Sequence, residues 1–150
     1  MKLQNVFLAL LVAFTATVLV GCGEEVPPEQ RLAQIRYNHE IFPVAAKTMY
    51  DAEGNPTLLV DLQVVNQGGV PLDILTVLVT VLDPAGNTKN SERATLDLEG
   101  VQPGIGARVS ASLPGVELLD EDEVTVELES NLSPEDIRTL PEFQLLTASN

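Results

Sequence analysis

Few side chains in this 150-residue chain are of the types that carry out nucleophilic or metal-assisted chemistry. Cys22 is the one thiol, His39 is the one imidazole, and there is no Trp. A Ser–His–acid triad would have to use His39, but the chain has no Gly-x-Ser-x-Gly motif. One Cys and one His are too few ligands for an ordinary zinc site. This inventory predicts that the chain is not an enzyme and binds no cofactor.

Carboxylates are the abundant chemical group, with 22 acidic residues against 8 basic ones and a formal charge of −14. This balance argues against nucleic acid as a partner, because phosphate binding needs clustered Lys and Arg. Asp120 and Asp122 lie in a run of four acids and are the candidate Ca²⁺ ligands. We expect a solvated turn without metal there, since salt screens repulsion between exposed acids.

The first 22 residues have the layout of a secretory signal peptide. Lys2 precedes an apolar stretch over residues 6–20, which only Thr15 and Thr17 interrupt. A stretch of about 15 residues is shorter than the roughly 20 needed to cross a bilayer as a helix. Cleavage is therefore expected, rather than a permanent membrane span.

The signal segment ends in Leu19-Val20-Gly21-Cys22. This sequence resembles the lipobox of bacterial lipoproteins, in which a signal peptidase cuts directly before a Cys that receives a diacylglycerol. The resemblance implies cleavage between Gly21 and Cys22, and fatty acyl chains such as palmitate on Cys22. It places the protein on the extracytoplasmic side of the cell membrane or the outer membrane. The mature chain would keep 7 basic and 22 acidic residues, so the lipid and not a basic surface would hold it there.

Three segments are expected, with the cut between the first and the second. The signal peptide covers residues 1–21, an acidic, Pro-containing tether covers residues 22–31, and one domain covers residues 32–150. Residues 31–42 fit both a helical stripe and an alternating strand, and we favour a strand.

From residue 44 onward, apolar and polar residues alternate with the period of two that is typical of β-strands. Leu72–Leu82 is apolar on both faces and is predicted to be a central strand. The chain is predicted to be an all-β antiparallel sandwich of about seven strands, with less than about 15% helix beyond the signal peptide. The clearest runs are residues 44–50, 57–65, 72–82, 93–98, 105–113 and 124–128.

The last residues have a different pattern. Ser133-Pro134-Glu135-Asp136 combines a capping hydroxyl, a Pro suited to the first helical position and acids in the first turn. These features predict a short helical turn to about Leu140. Residues 143–146 are expected either to add a last strand or to dock on the sandwich.

Four features of the middle of the chain occur in a known order: Val64-Val65-Asn66, Pro71-Leu72, a turn with Asp83 and Gly86, and Val101-Gln102-Pro103-Gly104. This order is similar to that of FxLYD-type and related Ig-like domains in extracytoplasmic bacterial proteins. The motif that names the family is replaced here, with Val79, Val81 and Leu82 where Phe, Leu and Tyr are expected. The resemblance implies an Ig-like fold without enzymatic activity.

The sequence as a whole predicts a lipid-anchored cell-envelope protein whose sandwich is a binding or structural module. Two alternatives are an accessory subunit of a membrane protein complex and a small envelope hydrolase that uses loop carboxylates. An exposed apolar patch or a bare edge strand would favour a protein partner. A deep pocket ringed by carboxylates would favour the hydrolase.

Overall fold

The computed structural model describes residues 26–36 and 39–148. Within these residues, six strands form two antiparallel sheets, ordered β1–β2–β5 and β4–β3–β6. The strands are β1 His39–Tyr50, β2 Pro56–Asn66, β3 Leu72–Leu82, β4 Thr88–Val101, β5 Gly106–Pro114 and β6 Glu123–Glu127. The helices are α1 Pro28–Arg36, α2 Pro134–Thr139 and α3 Pro141–Ala148.

A single hydrophobic core joins the two sheets, which makes the all-β fold sandwich-like. The central strands β2 and β3 contribute alternate residues to this core, because successive side chains of a strand point to opposite faces. Full burial of one such side chain stabilises the fold by about 1.5–3 kcal/mol. The alternating core residues are Leu58, Val60, Leu62 and Val64 on β2, and Leu75, Val77, Val79 and Val81 on β3.

The prediction of a central strand over Leu72–Leu82 is confirmed, since β3 pairs with β4 on one side and β6 on the other. Val77 and Val79 are fully buried, as the alternation predicts. On the other face of β3, Thr76 is buried and Leu78 is half-buried. The six clearest alternating runs all form strands, several of them longer than the pattern indicated.

One segment that we expected to be extended is partly helical. The preference for a strand over residues 31–42 is wrong for the part before residue 37, because α1 occupies Pro28–Arg36 and β1 begins at His39. The helix starts with Pro28 and an acidic Glu29 in its first turn, and it begins inside the segment expected to be tether. Its Leu32 is buried.

The helical turn predicted after Ser133 is confirmed as α2, with the Ser133 hydroxyl accepting the Asp136 backbone N–H at 3.1 Å. The alternative of a last strand over residues 143–146 is wrong, because these residues belong to α3. The three helices have nine, six and eight residues, so helix exceeds the predicted 15%. A small second core of Leu32, Leu140 and Phe143 packs α1 against α3.

The sandwich has two ends, which the antiparallel topology defines. The hairpin end contains residues 51–55 between β1 and β2, residues 83–87 between β3 and β4, and residues 115–122 after β5. The loop end contains residues 67–71 between β2 and β3 and residues 102–105 between β4 and β5. The start of β1 lies at this end as well, and the chain leaves β6 toward it.

Candidate functional site

The predicted lipidation site, with Gly21 and Cys22, lies outside the described residues. Cleavage and acylation there stay predictions. The described residue nearest to it is Val26, followed two residues later by the start of α1. The structure therefore bears on this site only by showing where the segment that follows Cys22 enters the domain.

The candidate Ca²⁺ ligands at the hairpin end have different surroundings. The Asp122 carboxylate accepts a hydrogen bond from the Lys89 ammonium and another from the Leu119 backbone N–H at 2.9 Å. The Lys89 bond, followed by the Leu119 bond, holds the pKa of Asp122 below its usual value. Asp120 is exposed. A cation at Asp122 would have to compete with Lys89 for the carboxylate, and no cluster of three or more metal-binding side chains occurs within residues 26–36 and 39–148.

The Asp residues of the two hairpins are engaged in turn formation. Asp51 and Asp83 each begin an Asp-x-x-Gly-Asn turn with the same bonding. The Asp83 carboxylate accepts the Asn87 side-chain amide and the backbone N–H groups of Ala85 and Asn87. The bonds from Asn87 are the largest cause of the lowered Asp83 pKa. The equivalent residues 51–55, which resemble an incomplete Ca²⁺ loop in sequence, use their Asp in the same way.

Among the residues that the structure describes, His39 bonds to no acid or hydroxyl group of the kind that a catalytic triad requires. Its Nε2 bonds to the Ile35 backbone carbonyl, and its buried Nδ1 has no hydrogen-bond partner. Burial lowers the pKa of His39, and the bond to Ile35 opposes this shift. The imidazole therefore links α1 to the start of β1 in its neutral form at pH 7.

The structure reveals a buried polar network that sequence reasoning missed. Arg36 at the end of α1 donates through Nη1 to Oε1 of Glu142 on α3, and their side chains are only 6% and 4% exposed. Glu142 also accepts from the Thr76 backbone N–H at 3.0 Å and from the Thr76 hydroxyl at 2.7 Å. Because β6 reaches β3 only from Leu78 onward, Thr76 lies where this edge of β3 has no strand partner. The Glu142 carboxylate therefore accepts the Thr76 backbone N–H that a neighbouring strand would otherwise bind.

A cleft of about 570 Å³ lies between α1, α3 and residues 69–74. Its walls are mostly apolar, with Ile35, Leu72 and Leu146 among them. Arg31, Asp73 and Glu142 are its charged residues, and Glu142 is already engaged by Arg36 and Thr76. The cleft is suited to binding an apolar or amphipathic group, and it is not ringed by carboxylates.

No known protein family, curated protein or solved structure matches this chain. Within the described part of the chain, none of the helices has the length and apolar character required to cross a membrane. Function must therefore be argued from the residues and their geometry.

Proposed function

We propose that the chain is a lipid-anchored, extracytoplasmic envelope protein whose sandwich is a non-catalytic binding or structural module. The observation that carries this proposal is the sequence Leu19-Val20-Gly21-Cys22 at the end of an apolar segment. The chain contains no second cysteine, so Cys22 has no thiol within the chain to pair with. An acylated Cys22 would attach the domain to the membrane that faces the extracytoplasmic space.

The start of the folded domain supports this assignment. From Cys22 to Pro28, where α1 begins, is six residues, which span at most about 20 Å when extended. Leu32 and Arg36 fix α1 to the rest of the domain by apolar packing and by the buried ion pair. A lipid on Cys22 would therefore hold the whole domain close to the bilayer.

We assign the domain to the Ig-like class. The residues that carry the resemblance lie at the ends of strands or in the turns between them. Asn66 ends β2 and is fully buried, and Gly86 has the positive φ of 83° that its hairpin requires. Gly104, in the turn before β5, has a φ of 78°. Two antiparallel sheets around one core are consistent with this class.

Several titratable side chains are bound to other groups of the protein, which supports a non-catalytic role for the domain. His39 bonds to a backbone carbonyl, Asp122 bonds to Lys89, and Glu142 bonds to Arg36. General acid–base catalysis requires a group that can reach a substrate proton, and these groups are directed at protein partners.

A second candidate, the accessory subunit, is favoured by the edge strand β1. In the described residues β1 pairs only with β2, and Phe42 and Val44 are 49% and 50% exposed. Pro43 and a register irregularity between Pro43 and Ala45 interrupt this edge, which limits uncontrolled strand pairing. If this edge holds a protein partner, Phe42→Asp should abolish its capture from native membranes, whereas Ala85→Asp at the hairpin end should not.

The test of the main proposal is the intact mass of protein extracted from membranes. We expect loss of residues 1–21 and a gain of acyl mass on Cys22. Cys22→Ser should leave an uncleaved precursor, whereas the neighbouring Gly23→Ala should be processed like the parent. A mature chain that carries an unmodified Cys22 would overturn the proposal.

A further inference from the structure

Two exposed apolar side chains lie on the uncharged loops of the loop end. Residues 67–71 and 102–105 contain no Asp, Glu, Lys, Arg or His, although charged residues make up 20% of the chain. Val70 is 49% exposed and Ile105 is 55% exposed. Single exposed apolar residues are ordinary, but a pair of them on adjoining uncharged loops indicates an interaction surface.

Asn66 holds these two loops together. Its side-chain amide donates to the backbone carbonyl of Val70, on the first loop, at 2.8 Å, and to that of Val101, the last residue of β4 before the second loop, at 2.7 Å. Its backbone N–H donates to the Ile105 carbonyl at 3.0 Å, and its carbonyl accepts from Gly104 at 2.7 Å. Because Asn66 is fully buried, these bonds are shielded from water and fix Val70 and Ile105 on one preorganised surface. We call this surface, formed by residues 67–71 and 102–105, the apolar tip.

The opposite end of the sandwich is strongly acidic. Residues 51–55, 83–87 and 115–122 contain seven acidic residues and no basic residue. The two loops of the apolar tip carry no charge, so an anionic membrane surface repels them less than it repels the acidic hairpin loops. The charge distribution therefore gives the domain a preferred direction relative to a membrane.

Charged residues also lie close to the apolar tip, both on the strands and on α1. Glu40, Asp73 and Glu99 are exposed residues near the loop ends of β1, β3 and β4. Arg31 lines the cleft beside Val70 and supplies a positive charge on the same side. Only the tip itself is free of charge, so contact with a bilayer would be shallow and interfacial.

The predicted anchor lies within reach of the same end. Arg31 on α1 lines the cleft together with Gly69 and Val70 of the tip. From Cys22 to Arg31 is nine residues, which limits their separation to about 30 Å even when the chain is extended. The anchored chain thus joins the domain on the side of the apolar tip.

We propose that the apolar tip docks on the membrane that holds the acyl chains of Cys22, with Val70 and Ile105 in the lipid interface and the acidic hairpin end directed away. This orientation rests on the proposed lipid anchor. It would leave the β1 edge and the hairpin end accessible to other envelope components.

Single cysteines provide the test, because acylation blocks Cys22 and each new thiol is then the one free thiol. The lipidated full-length protein is reconstituted in vesicles of phosphatidylcholine and phosphatidylglycerol at about three to one, and reacted with a membrane-impermeant maleimide. The variants are Val70→Cys and Ile105→Cys at the tip, Val44→Cys on the β1 edge and Ala85→Cys at the hairpin end. Val44 is the matched control, since it is apolar and as exposed as Val70.

We expect Val70→Cys and Ile105→Cys to react at least about tenfold more slowly than the two controls, because an interfacial thiol is hidden from the reagent. Equal rates at all four positions would overturn the orientation, and so would protection of Val44→Cys or Ala85→Cys with reactive tip positions. Parent protein that labels at Cys22 would show that the anchor itself is missing, and the orientation would fall with it. Parent protein that stays unlabelled while the tip reacts freely would overturn the orientation alone.

Discussion

The buried contact between Arg36 and Glu142 allows the sharpest test of the structure. Glu142→Gln keeps the shape of the side chain and an oxygen that can accept the Thr76 N–H, but it removes the charge that Arg36 faces. Both side chains are almost fully buried, so Arg36 would be left as an uncompensated buried cation. Breaking a buried pair in this way typically costs about 3–5 kcal/mol.

This cost translates into a large change in thermal stability. For a domain of this size, a loss of 3–5 kcal/mol corresponds to a fall in melting temperature of roughly 10–20 °C. Arg36→Met with Glu142→Gln removes both charges and leaves Thr76 with an acceptor. Because replacing both partners of a buried pair is often nearly neutral, the double variant should be more stable than Glu142→Gln alone, within about 1 kcal/mol of the parent.

Thermal and urea unfolding followed by circular dichroism would measure these differences. The control is the ion pair of Arg93 with Glu129, whose side chains are 39% and 20% exposed. Glu129→Gln should cost about 1 kcal/mol or less, and its effect should shrink in high salt, while that of Glu142→Gln should persist. A cost for Glu142→Gln no greater than that for Glu129→Gln, or no recovery in the double variant, would refute the reasoning.

Three further predictions concern the core, the hairpin turns and the acidic run. Val79→Asp should prevent cooperative folding, because it places a charge in the core. The control Val44→Asp, on the exposed β1 edge, should melt like the parent. A soluble Val79→Asp variant that melts cooperatively would contradict the register of β3. The pKa of Asp83 is lowered in the fold, so its contribution to stability is complete above the unfolded pKa near 3.9 and is lost as pH falls through the folded pKa. Melting temperatures from pH 7 down to pH 2.5 should therefore fall less steeply for Asp83→Asn than for the parent, and parallel curves would contradict this. Millimolar Ca²⁺ should not raise the melting temperature of the parent, because Lys89 already occupies the Asp122 carboxylate; a rise that disappears in Asp120→Asn/Asp122→Asn would identify a metal site.

The strands and turns of this protein could be predicted from the sequence because their determinants are local. Alternation along residues 57–65 places Leu58, Val60, Leu62 and Val64 on one face, and this face is buried in the core. The hairpins at residues 51–55 and 83–87 each carry the Asp, Gly and Asn that their own backbone hydrogen bonds require. The cap at Ser133 is equally local, and it was predicted correctly.

The helices α1 and α3 were decided by contacts between residues far apart in the chain. Leu32 is buried against Leu140 and Phe143, and Arg36 bonds to Glu142, 106 residues away. The apolar pattern around residues 31–42 fits two periods, so the local sequence could not choose between a helix and a strand. Because β6 pairs with β3 only from Leu78 onward, one edge of β3 is unpaired at Thr76, and Glu142 from the distant α3 binds there.

The proposed functional features also differ in whether local sequence or the tertiary structure determines them. The lipobox is a continuous sequence, so its chemistry can be recognised without a fold. The apolar tip consists of two loops that are about 30 residues apart in sequence. Each loop has one large exposed apolar side chain, which by itself does not indicate an interaction surface. The hydrogen bonds of Asn66 bring Val70 and Ile105 together, while the antiparallel topology collects the acidic turns at the opposite end. The sequence determines the charge of each loop, but only the tertiary structure determines which loops are neighbours, because strand pairing joins residues that are distant along the chain.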